Sequence, residues 1–216
     1  MSAPNGFCSA KRRARGRRDV NVDFATGLRQ RSSVNRMSYA LGGVEKRDIR
    51  VVPYDPDWPM RFEQERARIA DALGPVARRI DHIGSTSVPG LAAKPIIDIE
   101  LSVPDVPDEA AYLDQLLATG YRLRVREPGH LMVRTPTLDV HVHICAAGSD
   151  WERRHLLFRD WLRTDATDRA AYAALKVELA SREWPDMNAY AAAKGALISE
   201  ITVRAKQWAR STGLTF

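Results

Sequence analysis

The stretch His82-Ile-Gly-Ser-Thr-Ser-Val-Pro-Gly-Leu-Ala-Ala-Lys-Pro-Ile-Ile-Asp-Ile-Glu100 joins a turn of small residues to a β-branched segment that carries two carboxylates. Within it, Ile96-Ile97-Asp98-Ile99-Glu100-Leu101 is bounded by Pro95 and Pro104 and reads as a strand. Side chains alternate across a strand, so Asp98 and Glu100 are expected on one face, roughly 7 Å apart. Two acids that close repel each other unless a cation lies between them. A divalent metal is the usual solution, with Mg²⁺ preferred where substrate phosphates supply the remaining ligands. Upstream, Arg79 to Ile83 reads as another strand, followed by Gly84-Ser85-Thr86-Ser87. Glycine lets the backbone approach a ligand closely, and a hydroxyl residue beside it can cap a helix whose amides bind anions. A phosphate cradle at Gly84, Ser85 and Thr86 would thus precede a metal-holding pair, Asp98 and Glu100.

Gly84-Ser85, a gap, and then Asp98-Ile99-Glu100 resembles the signature of the nucleotidyltransferase superfamily. The fuller string HIGSTSVPGLAAKPIIDIEL from His82, with FRDWLR at 158–163 and YAALK at 172–176, is similar to the GrpB family over about Ile49 to Trp208. This resemblance implies an α+β fold: a mixed twisted sheet with helices on one face and a C-terminal helical subdomain. It implies metal-dependent transfer of a nucleotidyl group from a nucleoside triphosphate to an unknown acceptor, with Mg²⁺ or Mn²⁺ as cofactor. The alternative to this leading reading is a non-catalytic nucleotide-binding or accessory, chaperone-like module, since a fold does not fix a function. A histidine-assisted phosphohydrolase using the same metal pair is a further possibility.

Leu138-Asp139-Val140-His141-Val142-His143-Ile144 alternates strictly, with Val140, Val142 and Ile144 directed to a core and Asp139, His141 and His143 to the other side. Superfamily members take a third metal carboxylate from a neighbouring strand, a place Asp139 could fill. The GrpB resemblance instead points to His141 and His143, and imidazole suits Mn²⁺ or Zn²⁺ better than Mg²⁺. These three residues are candidates to complete the metal shell or to act as base. Superfamily relatives also set a basic residue from the C-terminal helices against the phosphates, which singles out Lys194, on the apolar stripe of Met187, Tyr190, Leu197, Ile201 and Trp208. Lys94, just before the acidic strand, is a second candidate phosphate ligand.

The formal charge of +6 belongs to one end of the chain. Residues 1–48 hold 11 basic and 4 acidic side chains, and the remainder holds 22 and 23. The first segment therefore reads as a disordered basic extension and residues 49–211 as the folded domain, with a sheet core at 49–148 and a helical part at 149–211. A neutral body argues against nucleic acid as the partner of the folded domain. No run of about 18 apolar residues occurs, and no signal-peptide core, so a reducing cytoplasm is the expected location. Cys8 and Cys145 form no paired pattern.

Along the rest of the chain, Ile49 to Val52 reads as a first strand. A helix then follows Asp57 as cap, with Trp58, Phe62, Ile69 and Leu73 on its buried stripe. Asp108 to Ala118 reads as a helix, and Tyr121–Val125 with Leu131–Arg134 as a hairpin around Pro128-Gly129. Three helices are expected after Asp150, with His155 among core positions of the first and Lys176 at the edge of the apolar face of the second. Arg159 and Arg163 lie four apart and could bind phosphate or simply face solvent.

Overall fold

A computed structural model of the protein describes residues 39–40 and 43–214. Strand β1 (Tyr39–Ala40) precedes helix α1 (Trp58–Leu73), strands β2 (Arg79–Ile83) and β3 (Ile97–Val103), and helix α2 (Leu113–Ala118). Strands β4 (Arg122–Glu127), β5 (His130–Arg134) and β6 (Val140–Ala146) follow. Helices α3 (Asp150–Thr164), α4 (Ala166–Ala180), α5 (Met187–Ala192) and α6 (Gly195–Thr212) complete the described residues. The six strands form one sheet in the order β1-β4-β5-β6-β3-β2. Every pairing is antiparallel except the parallel pair β3–β6, which sets Asp98 opposite His141 and Glu100 opposite His143. The α+β class with a mixed sheet is the one expected.

Period-two alternation divides the sheet between two tasks. Ile97, Ile99, Leu101 and Val103 of β3, with Val142 and Ile144 of β6, are fully buried and pack with Trp58 and Ile69 of α1 and Leu116 of α2. The intervening residues Asp98, Glu100 and Ser102 leave on the opposite side, where α3 lies. Glu152 of α3 accepts a hydrogen bond of 2.5 Å from the Ser102 hydroxyl and another of 2.5 Å from the Gly148 amide. Ser149 caps the same helix by accepting from the Glu152 amide. A smaller apolar cluster of Val88, Leu91, Leu162, Tyr172 and Ile201 ties the helical part to the loop between β2 and β3.

Several expectations need correction. Ile49–Val52 is no strand of the sheet: Val52 makes one isolated bridge to Ala93, and the following Pro53 has no amide to extend it. Asp57 holds the cap position of α1, but its side chain makes no capping bond. The segment from Asp108 divides into a 3-10 turn (Glu109–Ala111) and α2, because Tyr112, at φ −147°, turns its ring into the core and donates its hydroxyl to Val106 O. The final helix is likewise two, α5 and α6, broken just before Gly195, a residue of poor helix propensity.

The folded part also begins earlier than residue 49. β1 pairs with β4, and the Met187 amide donates to Glu45 O (3.0 Å). The Glu45 carboxylate meets Arg134 (2.8 Å) and Arg47 (2.7 Å). Burial would raise the Glu45 carboxyl, but the two guanidinium groups outweigh it and bring it down to about 2. The remainder of the expected disordered extension, residues 1–38 and 41–42, lies outside the described residues.

Candidate functional site

The polar side of β3 and β6 faces a cavity of about 340 Å³, walled by the β2–β3 loop, α3, α4 and the α5–α6 junction. Gly84 forms its rim at φ 69°, ψ −173°, a conformation essentially reserved for glycine. A Cβ there would stand 2.5 Å from Asp98 Oδ2, so the residue type also permits the turn to lie directly on the carboxylate. From the turn, Ser85 lines the cavity. Thr86 is committed elsewhere, since its hydroxyl donates to Ile96 O (3.0 Å) and meets His82 Nε2 (3.0 Å). It braces the loop and has no proton left for a phosphate. The three-residue 3-10 turn Ser85–Ser87 is also too short to be the anion-binding helix that the sequence suggested.

Asp98 Oδ1 lies 3.4 Å from His141 Nδ1 and 3.8 Å from His143 Nε2. One ligand atom from each of these three residues falls within 4.8 Å of the others, a spacing that a single metal ion can span. Burial would raise the Asp98 carboxyl, yet the two imidazoles hold it well below the usual carboxylate range, so it is a ready anionic ligand. Buried His141 Nε2 has no hydrogen-bond partner among the described residues. On the outer side of the trio, His143 Nδ1 is 3.2 Å from His130 Nε2, a contact that fixes the plane of the His143 ring. One carboxylate and two imidazoles fit a divalent transition ion.

Two acids expected in this group are elsewhere. Glu100 leaves on the same face as Asp98 but is 1% exposed, with Oε2 2.7 Å from His155 Nδ1. Burial raises its carboxyl against that hydrogen bond. Asp139 follows Leu138, which is left-handed at φ 66°, and emerges from the turn toward α1. There it accepts from Arg61 (2.8 Å), Thr135 (2.8 Å) and Thr137 (2.6 Å), and so is neither a metal ligand nor a base of this cavity.

Three lysines enter the cavity from separate elements: Lys94 before β3, Lys176 on α4 and Lys194 at the start of α6. Lys94 and Lys194 flank the Tyr190 ring at 5.5 and 4.1 Å, and Lys176 stands 4.8 Å above Tyr172 while donating to Ala92 O. None of the three has a carboxylate at ion-pair distance among the described residues. Burial, then the neighbouring Lys194 and Lys94, lower Lys176 to about 7. Burial and Lys94 lower Lys194 to about 8 against the opposing pull of Asp98. Lys94 is lowered too, chiefly by burial. Unpaired ammonium groups withdrawn from water are costly, and this crowding calls for an anion.

The profile of the GrpB family, described as GrpB protein, matches residues 48–204. The chain belongs to the GrpB family. A UPF0157 protein of Streptomyces coelicolor is 52% identical over 165 residues, covering 76% of this chain and 88% of that protein. The crystal structure of the conserved protein GrpB from Enterococcus faecalis superposes with a TM-score of 0.65 at 32% identity, over 74% of this chain and 99% of the other. A dephospho-CoA kinase of Mycolicibacterium paratuberculosis is 33% identical over 199 residues. That alignment takes in 79% of this chain and 49% of the kinase, so the GrpB domain spans about half of that relative.

Sequence reasoning placed Lys176 and His155 wrongly within the GrpB domain. Lys176 is 4% exposed and points into the cavity, and His155 lines it instead of sitting in the core. Lys176 stands four residues after Tyr172, on the same helical stripe, a signal that it would be buried with that ring. The arginines left undecided brace β2 and the loop that follows it: Arg159 donates to Asp81 (3.2 Å) and His82 O (3.3 Å), and Arg163 to Ser87 O (2.9 and 3.0 Å). No helix among the described residues is long and apolar enough to cross a membrane.

Proposed function

We propose that this GrpB protein is a metal-dependent nucleotidyltransferase that moves a nucleotidyl group from a nucleoside triphosphate to an acceptor. The observation that carries the reading is the cavity's split character: three lysines with no carboxylate partner among the described residues on one side and the Asp98–His141–His143 group on the other. Lys94, Lys176 and Lys194 neutralise the β and γ phosphates, and Ser85 on its turn donates a hydroxyl to them. Asp98, His141 and His143 would hold the divalent ion, with Mn²⁺ suited better than Mg²⁺ by the two imidazoles. When bound, such an ion polarises the α-phosphoryl oxygens and neutralises charge developing on the pyrophosphate leaving group. Asp98 stays ionised throughout, and Gly84 keeps the Ser85 turn against it.

A second reading, a nucleotide-binding module without turnover, is favoured by the engagement of Glu100 with His155 and of Asp139 with Arg61, which leaves Asp98 as the one carboxylate of the metal group among the described residues. Calorimetric titration of the wild type and Asp98→Asn with Mn²⁺ and each nucleoside triphosphate, with pyrophosphate release followed in parallel, separates these readings. Metal-dependent binding and release that Asp98→Asn abolishes supports transfer. Binding without release across alcohol, amine and RNA acceptors supports the module. Equal metal-dependent binding in both proteins refutes the metal seat.

A further inference from the structure

On the α3 wall of the cavity, His155 forms an arrangement for which the proposed function gives no role. Its Nδ1 is 2.7 Å from Glu100 Oε2, and the Trp151 ring packs edge-on against it, with centroids 4.8 Å apart at 74°. Because His155 lines the cavity and Glu100 occupies Nδ1, the nitrogen left for a ligand is Nε2. A pair that served only to fasten α3 to the sheet would use both carboxylate oxygens, as Glu152 does with Ser102 and Gly148. Glu100 instead leaves its buried Oε1 without a hydrogen-bond partner among the described residues. A buried carboxylate that spends its one hydrogen bond on a cavity-facing imidazole is the arrangement that orients a histidine to accept a proton. Other titratable groups near the Glu100–His155 pair are His143 on β6, His130 on β5, and Glu152, Arg154 and Arg159 on α3 itself.

We infer that His155, oriented by Glu100, is the general base of nucleotidyl transfer and that the acceptor is a hydroxyl compound. This rests on the transfer reading above. The acceptor O–H gives its proton to His155 Nε2 while the oxygen forms a bond to the α-phosphorus. The bond from that phosphorus to the bridging oxygen breaks, and its electron pair leaves on pyrophosphate. A base is required only where the nucleophile has a proton to lose, which distinguishes an alcohol from a carboxylate or phosphate acceptor already ionised at neutral pH.

The test follows pyrophosphate release from MnATP by the full chain across about pH 5 to 9, a range that brackets histidine titration, with water, glycerol and inorganic phosphate as acceptors. Wild-type transfer to glycerol should rise with pH as the imidazole loses its proton, then level off. His155→Asn should lower the rate roughly 10²–10⁴-fold and remove the rise, with affinity for α,β-methylene-ATP within about twofold of wild type. Glu100→Gln should lower the rate by less, roughly tenfold, with affinity for α,β-methylene-ATP within about twofold of wild type, because the imidazole loses the carboxylate that orients it. That loss at unaltered affinity carries the test if His155→Asn fails to fold. An unaltered rate and slope in His155→Asn overturns the base and leaves transfer standing. Faster release with phosphate than with glycerol overturns the acceptor class. A wild type silent with these acceptors and with the amine and RNA acceptors named above overturns both the transfer reading and the base.

Discussion

Binding of a triphosphate at about pH 8 should draw protons into the protein. Lys176, lowered to about 7, and Lys194, lowered to about 8, are then mostly and half neutral. In round figures the first is about 10% protonated and the second about 50%. A polyphosphate between them favours the charged forms of both, so full protonation on binding takes up about 0.9 plus 0.5, or about 1.4 protons. The triphosphate does not offset this, because its terminal phosphate loses its last proton near pH 6. The assay is calorimetric titration of ATP in metal-free buffer, repeated in buffers of different ionisation enthalpy, where the slope of apparent heat gives the proton count. Lys176→Met should cut the uptake to about 0.5, and below about pH 6 the uptake should vanish because both lysines are already charged. An uptake near zero at pH 8, or one unaltered by Lys176→Met, would refute the view that these lysines await an anion. The linked stability effect has a definite sign. Each lysine titrates lower in the folded than in the unfolded chain, so between about pH 7 and 10.5 the unfolded chain binds more protons. Stability of the ligand-free protein should therefore rise with pH through that window.

Gly84→Ala should destabilise the fold by roughly 2–4 kcal/mol in urea unfolding, combining a backbone conformation closed to alanine with the collision against Asp98. A loss under about 0.5 kcal/mol would show that the turn can move aside. Asp139→Ala should leave Mn²⁺ affinity within about twofold and cost about 1 kcal/mol of stability, as befits a half-exposed pair with Arg61. A tenfold loss of metal affinity would return Asp139 to the metal group. Glu152→Ala strips the acceptor from the Ser102 hydroxyl and the Gly148 amide and should cost roughly 2–4 kcal/mol by denaturant unfolding, and a cost below about 1 kcal/mol would mean that water replaces it.

What was legible in the sequence was whatever depends on local period. β2 occupies Arg79–Ile83 as expected, the strand of Asp98 and Glu100 runs on to Val103, and α1 buries the four residues of its apolar stripe. Alternation also set Asp98, His141 and His143 on one side of neighbouring strands. It failed at Asp139 because the rule holds only along extended backbone, and Leu138 interrupts that backbone with a left-handed residue. Distances between elements were not legible at all. Nothing local told that His155 reaches Glu100, 55 positions away, or that Thr86 spends its hydroxyl on Ile96 O. Lys176 was misplaced because its helix buries a charged side chain that a solvated reading would leave at the edge.

The successive polar residues of β3 are each secured by a different partner: Asp98 by the histidines of β6, Glu100 by His155 and Ser102 by Glu152. A slip of this strand by one position against its neighbours would push three acids and hydroxyls into oil and bring three isoleucine and leucine side chains out to meet charge. Misaligned pairings during folding are thus rejected three times over along a span of five residues, and the geometry of the cavity is inspected by the same step that assembles the sheet.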